Sequence, residues 1–493
     1  VESDLTYGDY TDPRGDIQNS YAKFDIDYAY NIKGNKLLSM KIKDSLEICN
    51  TFYFGEEFTP DTILIHKDKL ILQGEYFEPE KQASHFARTI IFDISDPYNL
   101  KPLRTFDIEG TLYGARRIDN YLYFITGINV NEEVNAKTLK SRGLPLYNTH
   151  NPNENLEVPI ENLQKMTESY LGYINIVSFD LNSIYDTPLI STYLAGNRKV
   201  YLAEKNLYIC VEGKDNITGL YKFSFRGGKA KLEENVQINF KLTQYTKIHE
   251  YNEQVYLTFE AKNYQDYYAS EDYVLRLNSQ LEIINKIVLN AYSFGDTHYI
   301  LFYKDKTYIG TRYNKSFDKS DAFYVINWYD DDHLQPVELG TLNGSGLLNI
   351  FPYGENEYLL YSYSSRRQMS EDPDSAKLGF FKGNNKAEFK YLYRFPRSAN
   401  VKRTIFVNPK RGYLYAGVSY FPYETYDSRD SLMIFDTNNN ATQLADLEIL
   451  DYFNGEIKAM TERGDILYLI TNFELISVSL NDFSIIERTS FPE

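Results

Sequence analysis

Cysteine is scarce in this sequence, with two residues, Cys49 and Cys210, among 493. Neither belongs to a Cys-x-x-Cys motif, and no pair of histidines stands nearby. Zinc ribbons and thioredoxin-like redox sites are therefore excluded, because both need clustered ligands or closely spaced thiols. Two buried thiols are the favoured interpretation. One disulfide stays open, because the sequence does not show whether the two Cα atoms approach within the ~7 Å that a bridge needs.

Long apolar runs are also missing. No stretch approaches the ~18 apolar residues that a membrane-spanning helix needs, and Val1–Asp9 has neither a basic head nor an apolar core. We therefore predict no membrane span in this chain.

Positive charge is in deficit, with 52 Lys and Arg against 69 Asp and Glu and a formal net charge of −17. An acidic surface repels phosphate backbones, and the sequence has no basic stripe with interleaved aromatic residues. We therefore expect no nucleic-acid partner. Because 43% of the residues are apolar, the chain has the material for a packed core and differs from a disordered acidic polymer.

Histidine is rare as well, with six residues, which leaves little room for metal or acid–base clusters. No HExxH, P-loop, GxSxG or GxGxxG motif is present. Glycosidic cleavage would need two carboxylates that face a sugar bond. The sequence alone does not show which two of the 69 acidic residues would form such a pair. We therefore predict no catalytic residue and no metal ligand, and an enzyme is the less favoured class.

Tyrosine is the residue in excess, with 46 copies, and strands favour aromatic side chains because flat rings pack well on a pleated surface. A hairpin recurs along the chain as a short alternating strand, a polar turn and a second strand rich in Tyr, Leu and Ile. The nine copies of this first hairpin are Ile32–Leu38, Ile65–Leu72, Arg117–Phe124, Leu202–Ile209, His249–Leu257, Phe302–Ile309, Pro352–Leu359, Val407–Leu414 and Glu462–Leu469.

A second hairpin follows most of these copies, and two hairpins make one four-stranded antiparallel sheet. Such a small sheet does not bury both of its faces alone, so copies are expected to stack radially. The sequence therefore predicts an all-β fold, a single β-propeller over residues 21–493. Eight blades are favoured, with seven and nine left open. Residues 1–20 are interpreted as an N-terminal tail or linker.

The largest departure from the repeat is an insertion at about residues 128–169. Within it, Pro159 precedes several good helix formers up to Met166, a pattern that predicts one short helix. A long connection in a compact repeat fold is either functional or mobile.

Several ordered segments resemble those of a known family. They are an arginine-led hairpin, a long insertion that returns to a strand, an arginine between two apolar strands, and a proline-tyrosine-glycine turn. The segments are Arg116–Thr126, Gly143–Tyr147 with Tyr173–Leu181, Tyr308–Arg312 with Ala322–Asn327, and Ile350–Asn356. On these residues the chain resembles secreted bacterial and archaeal proteins with a C-terminal β-propeller domain, distantly related to WD repeats.

The chain departs from the family pattern at two places. Phe351 stands where the family has a histidine, and Asn327–His333 stands where it has an Asp-Leu-Ser-Asp-Pro turn. The resemblance implies an exported propeller, extracellular or at the cell surface, in a family without an assigned biochemical activity. Export implies in turn that a signal peptide preceded Val1 and was removed.

Arg117 and Arg312 are the first candidate binding residues, because both stand at landmarks of this resemblance. An arginine between blades commonly pairs with a carboxylate or a carbonyl, and that structural role is favoured over anion binding in the channel. His249 and His298, like His66, fall near first hairpins, whose inner strands line the channel of a propeller. They are candidates for a common cavity, although a structural, hydrogen-bonded histidine is the favoured interpretation.

Tyr423 and Tyr426, in a polar insertion, complete the candidate binding residues. An exposed tyrosine stacks on sugar faces or anchors a protein partner, and the alternative is packing under a loop. No cofactor is expected. Calcium in acidic turns stays open at Tyr329–His333 and at Asp436–Thr442, which begins like a calcium loop but lacks its glycine and closing glutamate, so that a hairpin turn is favoured.

The leading hypothesis is a non-catalytic extracellular or cell-surface propeller that binds a protein or glycan partner. The first alternative is an extracellular polysaccharide-acting enzyme with a carboxylate pair at the channel mouth. The second is a structural subunit of a surface assembly.

Overall fold

The computed structural model describes residues 21–77, 85–129, 145–148, 156–158, 163–166, 172–203, 205–213, 217–240, 242, 246–262, 270–290, 296–303, 305–312, 321–328, 337–342, 346–352, 357–363, 377–382, 389–394, 403–408, 411–420, 429–439, 442–450 and 457–492. Every regular element in these ranges is a β-strand, and none of them contains a helix long and apolar enough to cross a membrane.

The strands of the described residues form nine sheets, numbered here in chain order. Sheet 1 contains β1 (Ala22–Phe24), β2 (Tyr28–Lys33), β3 (Lys36–Lys41) and β4 (Glu47–Tyr53). Sheet 2 is built on β5 (Phe58–His66), β6 (Lys69–Phe77), β7 (His85–Asp93) and β8 (Lys101–Glu109). Sheet 3 begins with β9 (Thr111–Ile118) and β10 (Tyr121–Asn129). The next three strands are β11 (Leu146–Asn148), β12 (Leu156–Glu157) and β13 (Leu163–Lys165), and sheet 3 continues with β14 (Gly172–Asp180) and β15 (Leu189–Ala195).

The six remaining sheets each have four strands in sequential order. Sheet 4 has β16 (Arg198–Leu202), β17 (Asn206–Glu212), β18 (Ile217–Arg226) and β19 (Lys229–Asn239), and sheet 5 has β20 (Lys247–Tyr251), β21 (Gln254–Lys262), β22 (Ser270–Leu277) and β23 (Ile283–Asn290). Sheet 6 has β24 (Asp296–Tyr303), β25 (Lys306–Arg312), β26 (Asp321–Asn327) and β27 (Val337–Leu342), and sheet 7 has β28 (Gly346–Pro352), β29 (Glu357–Tyr363), β30 (Lys377–Lys382) and β31 (Phe389–Arg394). Sheet 8 has β32 (Arg403–Asn408), β33 (Tyr413–Tyr420), β34 (Arg429–Asp436) and β35 (Thr442–Leu450), and sheet 9 has β36 (Ala459–Arg463), β37 (Ile466–Ile470), β38 (Glu474–Ser479) and β39 (Ile485–Ser490).

The predicted all-β propeller of four-stranded antiparallel blades is confirmed. Each of the nine predicted hairpins falls in its own sheet, so the described residues match nine, one of the blade counts left open, rather than the favoured eight. Eight was favoured because the two chain ends were expected to share a blade. Instead, the first and last hairpins belong to separate sheets, sheet 1 and sheet 9.

Tight turns at left-handed backbone positions join the strands of these hairpins. Lys67 and Asp119 have φ of 55° and 53°, and Gly34 and Gly464 have φ of 56° and 58°. Two-residue turns of this hand match the twist of the strands they connect. In sheet 1 the hairpin joins β2 to β3, one strand later than in the other sheets, because the short strand β1 precedes it.

The insertion at 128–169 contributes strands to the outer edges of two sheets. β11 pairs antiparallel with β8 and carries β12 beside it, and β13 pairs parallel with β15. The predicted helix is therefore wrong at its described end, where Leu163–Lys165 forms β13. A single helical turn is unstable alone, whereas an edge strand offers unpaired N–H and C=O groups that fix an extended segment.

The apolar core of the described residues lies between neighbouring sheets. Val158 and Met166 of the insertion are buried in two of these layers. Representative side chains are Tyr30 and Leu37 against Ile63 and Leu70 for sheets 1 and 2, Ile71 and Phe106 against Phe124 and Phe179 for sheets 2 and 3, Tyr123 and Ile174 against Ile209 and Phe223 for sheets 3 and 4, and Tyr415 and Ile434 against Leu467 and Ile476 for sheets 8 and 9.

Tyrosines near the beginning of second strands hold neighbouring sheets together through their hydroxyls. The Tyr123 hydroxyl of sheet 3 accepts the backbone N–H of Gly228 in sheet 4 at 3.0 Å. The Tyr415 hydroxyl of sheet 8 donates to a carboxylate oxygen of Glu462 in sheet 9. Both rings are almost completely buried, so the excess of tyrosine reflects packing between blades as well as strand propensity.

The described residues divide into two compact units. The N-terminal unit comprises those within Gly8–Ala261 and Val274–Lys286, and the C-terminal unit comprises those within Lys262–Tyr273 and Ile287–Glu493.

Cys49 in β4 and Cys210 in β17 are both free thiols, the first partly buried and the second buried, so the disulfide alternative is wrong. Burial raises the pKa of Cys210 to about 12, which makes it an inert core residue.

Candidate functional site

The first strands of the N-terminal unit lie side by side and bring two of the predicted histidine positions into polar contacts. β9 contacts β16, and β16 contacts β20. At the end of β9, Arg117 Nη1 donates to the Asp119 carbonyl at 3.0 Å and lies 3.5 Å from Nδ1 of His66, the last residue of β5. Burial, together with the charges of Arg117 and the neighbouring lysines, lowers the pKa of His66.

His249 occupies the equivalent region of β20. Its Nδ1 lies 3.3 Å from the Tyr201 hydroxyl of β16, and its ring packs near those of Tyr201 and Tyr256. Burial raises the pKa of Tyr201, whose hydroxyl therefore stays protonated and available as a donor. The contact joins two first strands, in the way that the Arg117 contact with His66 joins β9 to β5.

Glu250 follows His249 and accepts a hydrogen bond from the Asn206 side chain of sheet 4. Burial, and then the nearby Glu250 carboxylate, raise the pKa of Tyr208. In the C-terminal unit, Glu462 receives donors from an asparagine and a tyrosine at similar positions of the preceding sheet. The first-strand glutamates are therefore acceptors for contacts between blades.

The other candidate binding residues are not brought into this cluster by any described contact. His298 lies in β24 and Arg312 ends β25, and their side chains lie outside the described part of the structure. Tyr423 and Tyr426 lie wholly outside the described residues. Their binding roles stay predictions.

Asp61 is a candidate that sequence reasoning missed. It lies in β5 where the pairing with β6 shifts register between Pro60 and Thr62. Its Oδ1 is buried and has no hydrogen-bond partner among the described residues. Burial and the charge of nearby Glu75 raise the pKa of Asp61 to about 6. The Pro-Asp pair inside an alternating strand was the available signal, because proline within a sheet marks a bulge.

Ionised Asp61 should weaken the fold, and Asp61→Asn tests this. With a pKa of about 6 when folded and about 4 when unfolded, the folded state holds more protons between these values. Stability therefore falls as pH rises from about 4 to 7, by about 2 to 3 kcal/mol for this group. We expect Asp61→Asn to be more stable than the parent at pH 8 in urea unfolding. Its free energy of unfolding should also depend less steeply on pH between about 4 and 7 than that of the parent.

The matched control for this measurement is Glu75→Gln, which removes an exposed neighbouring charge and keeps Asp61. Because the Glu75 charge raises the pKa of Asp61, this variant should move the pH-dependent loss of stability towards lower pH without abolishing it. Parallel pH profiles for Asp61→Asn and the parent would contradict the assignment.

Two acidic turns are the sequence-based candidates for a bound cation. Among the described side chains, no group of three or more His, Cys, Asp or Glu is placed to hold a metal ion. Asp436 Oδ1 accepts the backbone N–H groups of Asn438 at 3.0 Å and Asn439 at 3.3 Å, within the turn from β34 to β35. The segment Tyr329–His333 lies outside the described residues.

The sequence matches one protein family over most of its length. The family described as "Beta propeller domain" matches residues 19–360, in the first part of this sequence and not at its C-terminal end. A comparison with curated proteins found no match.

The solved structures that match this chain share little sequence with it. The β-propeller domain of the trilobed protease from Pyrococcus furiosus has 10% identity and a TM-score of 0.38, over 80% of this chain and 98% of that one. The acylaminoacyl peptidase of Pyrococcus horikoshii has 10% identity and a TM-score of 0.38, over 76% of this chain but 52%, about half, of its own length. The periplasmic gluconolactonase of Pseudomonas aeruginosa has 10% identity and a TM-score of 0.34, over 64% of this chain and 91% of that one.

Proposed function

The chain belongs to the β-propeller domain family, and from this premise we propose that it is a non-catalytic binding protein of the cell exterior. It recognises a protein or glycan partner through the connections between the second and third strands of its blades. Export and the relation to WD repeats are part of the same proposal and rest on the resemblance described above.

One observation carries the proposal, the length of the connections between second and third strands. First and second strands are joined by two to four residues and third and fourth strands by two to nine, whereas six sheets have seven to 42 residues between second and third strands. These connections are residues 78–84, 130–171, 263–269, 313–320, 364–376 and 421–428. In an antiparallel sheet they leave from the end opposite the tight turns. Long polar connections on a rigid scaffold are where binding residues concentrate.

The base of one such connection is aromatic and exposed. Phe77 ends β6 and is 44% exposed, and its ring lies 5.5 Å from that of His85, which begins β7. Exposed aromatic rings offer large contact area to sugars and to protein side chains. The candidates Tyr423 and Tyr426 fall in residues 421–428, the corresponding connection of sheet 8.

A catalytic alternative is favoured by the pair Asp61 and Glu75. In a glycosidase, one carboxyl has a raised pKa and donates a proton while its neighbour stays ionised. Asp61, with its pKa of about 6 beside Glu75, has this property. An extracellular enzyme acting on polysaccharide is therefore the second candidate, and a surface-assembly subunit is the third.

The proposal is tested on the whole chain with a glycan and polysaccharide array and with capture of protein partners from the cell surface. Replacing both Tyr423 and Tyr426 by serine is expected to weaken binding at least ~10-fold, since an anchoring tyrosine contributes about 2 kcal/mol. Reducing-end release is assayed on every hit. Release would transfer the assignment to the enzyme, and Asp61→Asn should then abolish it.

The matched control replaces exposed tyrosines at the opposite end of the blades. Tyr185, between β14 and β15, is 63% exposed, and Tyr98, between β7 and β8, is 46% exposed. Serine at both positions should leave binding unchanged. Loss of binding in this control, with the Tyr423 and Tyr426 variant unaffected, would place the partner at the tight-turn end and refute the proposal.

A further inference from the structure

Three connections of sheets 2 and 3 meet at the tight-turn end of the N-terminal unit, opposite the long connections. They are residues 67–68 between β5 and β6, 119–120 between β9 and β10, and 181–188 between β14 and β15. Direct contacts tie them together. The backbone N–H of Leu181 donates to the Asn120 carbonyl at 2.8 Å, and Lys67 Nζ donates to the side-chain oxygen of Asn182 at 3.3 Å.

The cations at this meeting point contact neutral acceptors. Arg117 donates to the Asp119 carbonyl and approaches the His66 ring, and Lys67 donates to an amide oxygen. No ion pair within the described residues involves Arg117 or Lys67. Asp68 also faces His66, but its carboxylate is 2.9 Å from Lys69 Nζ, which neutralises it.

Arg88 of sheet 2, which lies nearer the opposite end of the blade, shows the alternative arrangement, in which an arginine pairs with a carboxylate. Arg88 forms two parallel hydrogen bonds with Asp107, at 2.7 and 2.8 Å, and its guanidinium stacks on Tyr76. Asp119 and Asp180 stand in or next to the same connections, but among the described residues no carboxylate lies within ion-pair distance of Arg117 or Lys67, whose contacts are with carbonyl, amide and imidazole groups. Guanidinium and ammonium groups bind oxyanions through charge-assisted hydrogen bonds.

His66 adds an independent observation. It is 6% exposed, and its Nε2 is buried without a hydrogen-bond partner among the described residues. Burial, and then the positive charges of Arg117, Lys67 and Lys69, lower the pKa of this ring, while Asp68 acts in the opposite direction. A negative charge placed nearby would relieve this arrangement, because an anion favours the charged form of an imidazole.

We infer that the turn end of sheets 2 and 3 binds a small oxyanion, a phosphate, sulfate or carboxylate group, between the side chains of Arg117 and Lys67 and next to His66. The site lies at the opposite end of the blades from the long connections, so its test is independent of the proposed function.

The test is a pH titration of the His66 ring protons by NMR on the whole chain, with and without inorganic phosphate. Bound phosphate should raise the His66 pKa by at least about 0.5. Arg117→Gln should weaken phosphate binding at least ~10-fold by calorimetry and remove this pKa shift. Arg226→Gln, which changes an exposed arginine at the end of β18, should leave both unchanged.

Two results would overturn the inference: His66 resonances that do not respond to phosphate, or equal phosphate affinity in Arg117→Gln and Arg226→Gln. Lys67→Gln replaces Arg117→Gln if the latter does not fold. Dextran sulfate is titrated in parallel to distinguish the source of the anion. If dextran sulfate binds more tightly per charged group than inorganic phosphate, the natural ligand is an anion carried on a glycan. If the two bind equally, the natural ligand is a free anion.

Discussion

Replacing Gly74 by alanine is expected to destabilise the N-terminal unit by about 3 kcal/mol or more. A Cβ atom at this position in β6 would lie 2.1 Å from the carbonyl oxygen of Thr59 and 2.6 Å from Cα of Pro60. Both are backbone atoms of β5, so no side-chain rotation relieves the clash. The first strand itself would have to move at its register shift, where Asp61 is held.

The control for this prediction is Gly55→Ala, a few residues before β5. Its Cβ would lie 2.4 Å from a carboxylate oxygen of Glu57, the far end of a flexible and exposed side chain that is free to rotate away. We expect a change within ~0.5 kcal/mol. Urea unfolding compares the two variants, and equal midpoints would show that the close approach of β5 to β6 does not limit stability.

Removing the Glu462 side chain should have the second largest effect, about 3 kcal/mol on the C-terminal unit. Its carboxylate accepts the Tyr415 hydroxyl, Asn408 Nδ2 at 2.8 Å and Arg411 Nε at 3.2 Å. Glu462→Ala would remove this shared acceptor from three donors of sheet 8 in a site that is largely buried. Breaking a buried ion pair by removing one partner destabilises strongly, because the remaining groups lose their compensation.

Asp465→Ala provides the comparison for Glu462→Ala, because Asp465 pairs with the same guanidinium. Arg411 Nη2 is 3.0 Å from Asp465 Oδ1, but the aspartate side chain is 59% exposed. Exposed pairs contribute between 0 and about 1 kcal/mol, so this variant should unfold close to the parent in urea. A loss from Asp465→Ala as large as that from Glu462→Ala would contradict the role given to burial.

The blades could be predicted from the sequence because each depends on local patterns. Alternation of apolar and polar residues, tight-turn residues and second strands rich in Tyr, Leu and Ile recur along the chain, and each specifies a hairpin without reference to distant residues. The helix expected after Pro159 failed for the complementary reason. Leu163–Lys165 is fixed by pairing with β15, an edge that local propensity does not reveal.

The candidate sites were harder to predict because they depend on contacts across sheets. Arg117 was identified as a candidate, but its approach to His66 joins residues 51 positions apart. Asp61 was missed because its raised pKa comes from burial at a bulge and from Glu75 on the next strand. A sequence with 69 acidic residues gives no local signal for such an environment.

The insertion has a consequence for anyone who redesigns this chain. β11 with β12, and β13, lie along the outer strands β8 and β15, while Val158 and Met166 fill the layers beneath. Replacing the insertion by a short loop would expose the outer edges of β8 and β15 and leave two cavities where Val158 and Met166 are now buried. An exposed edge strand can pair with a strand of another molecule, so a variant with a shortened insertion would tend to self-associate. Shortening is better directed to residues 364–376, which join β29 to β30.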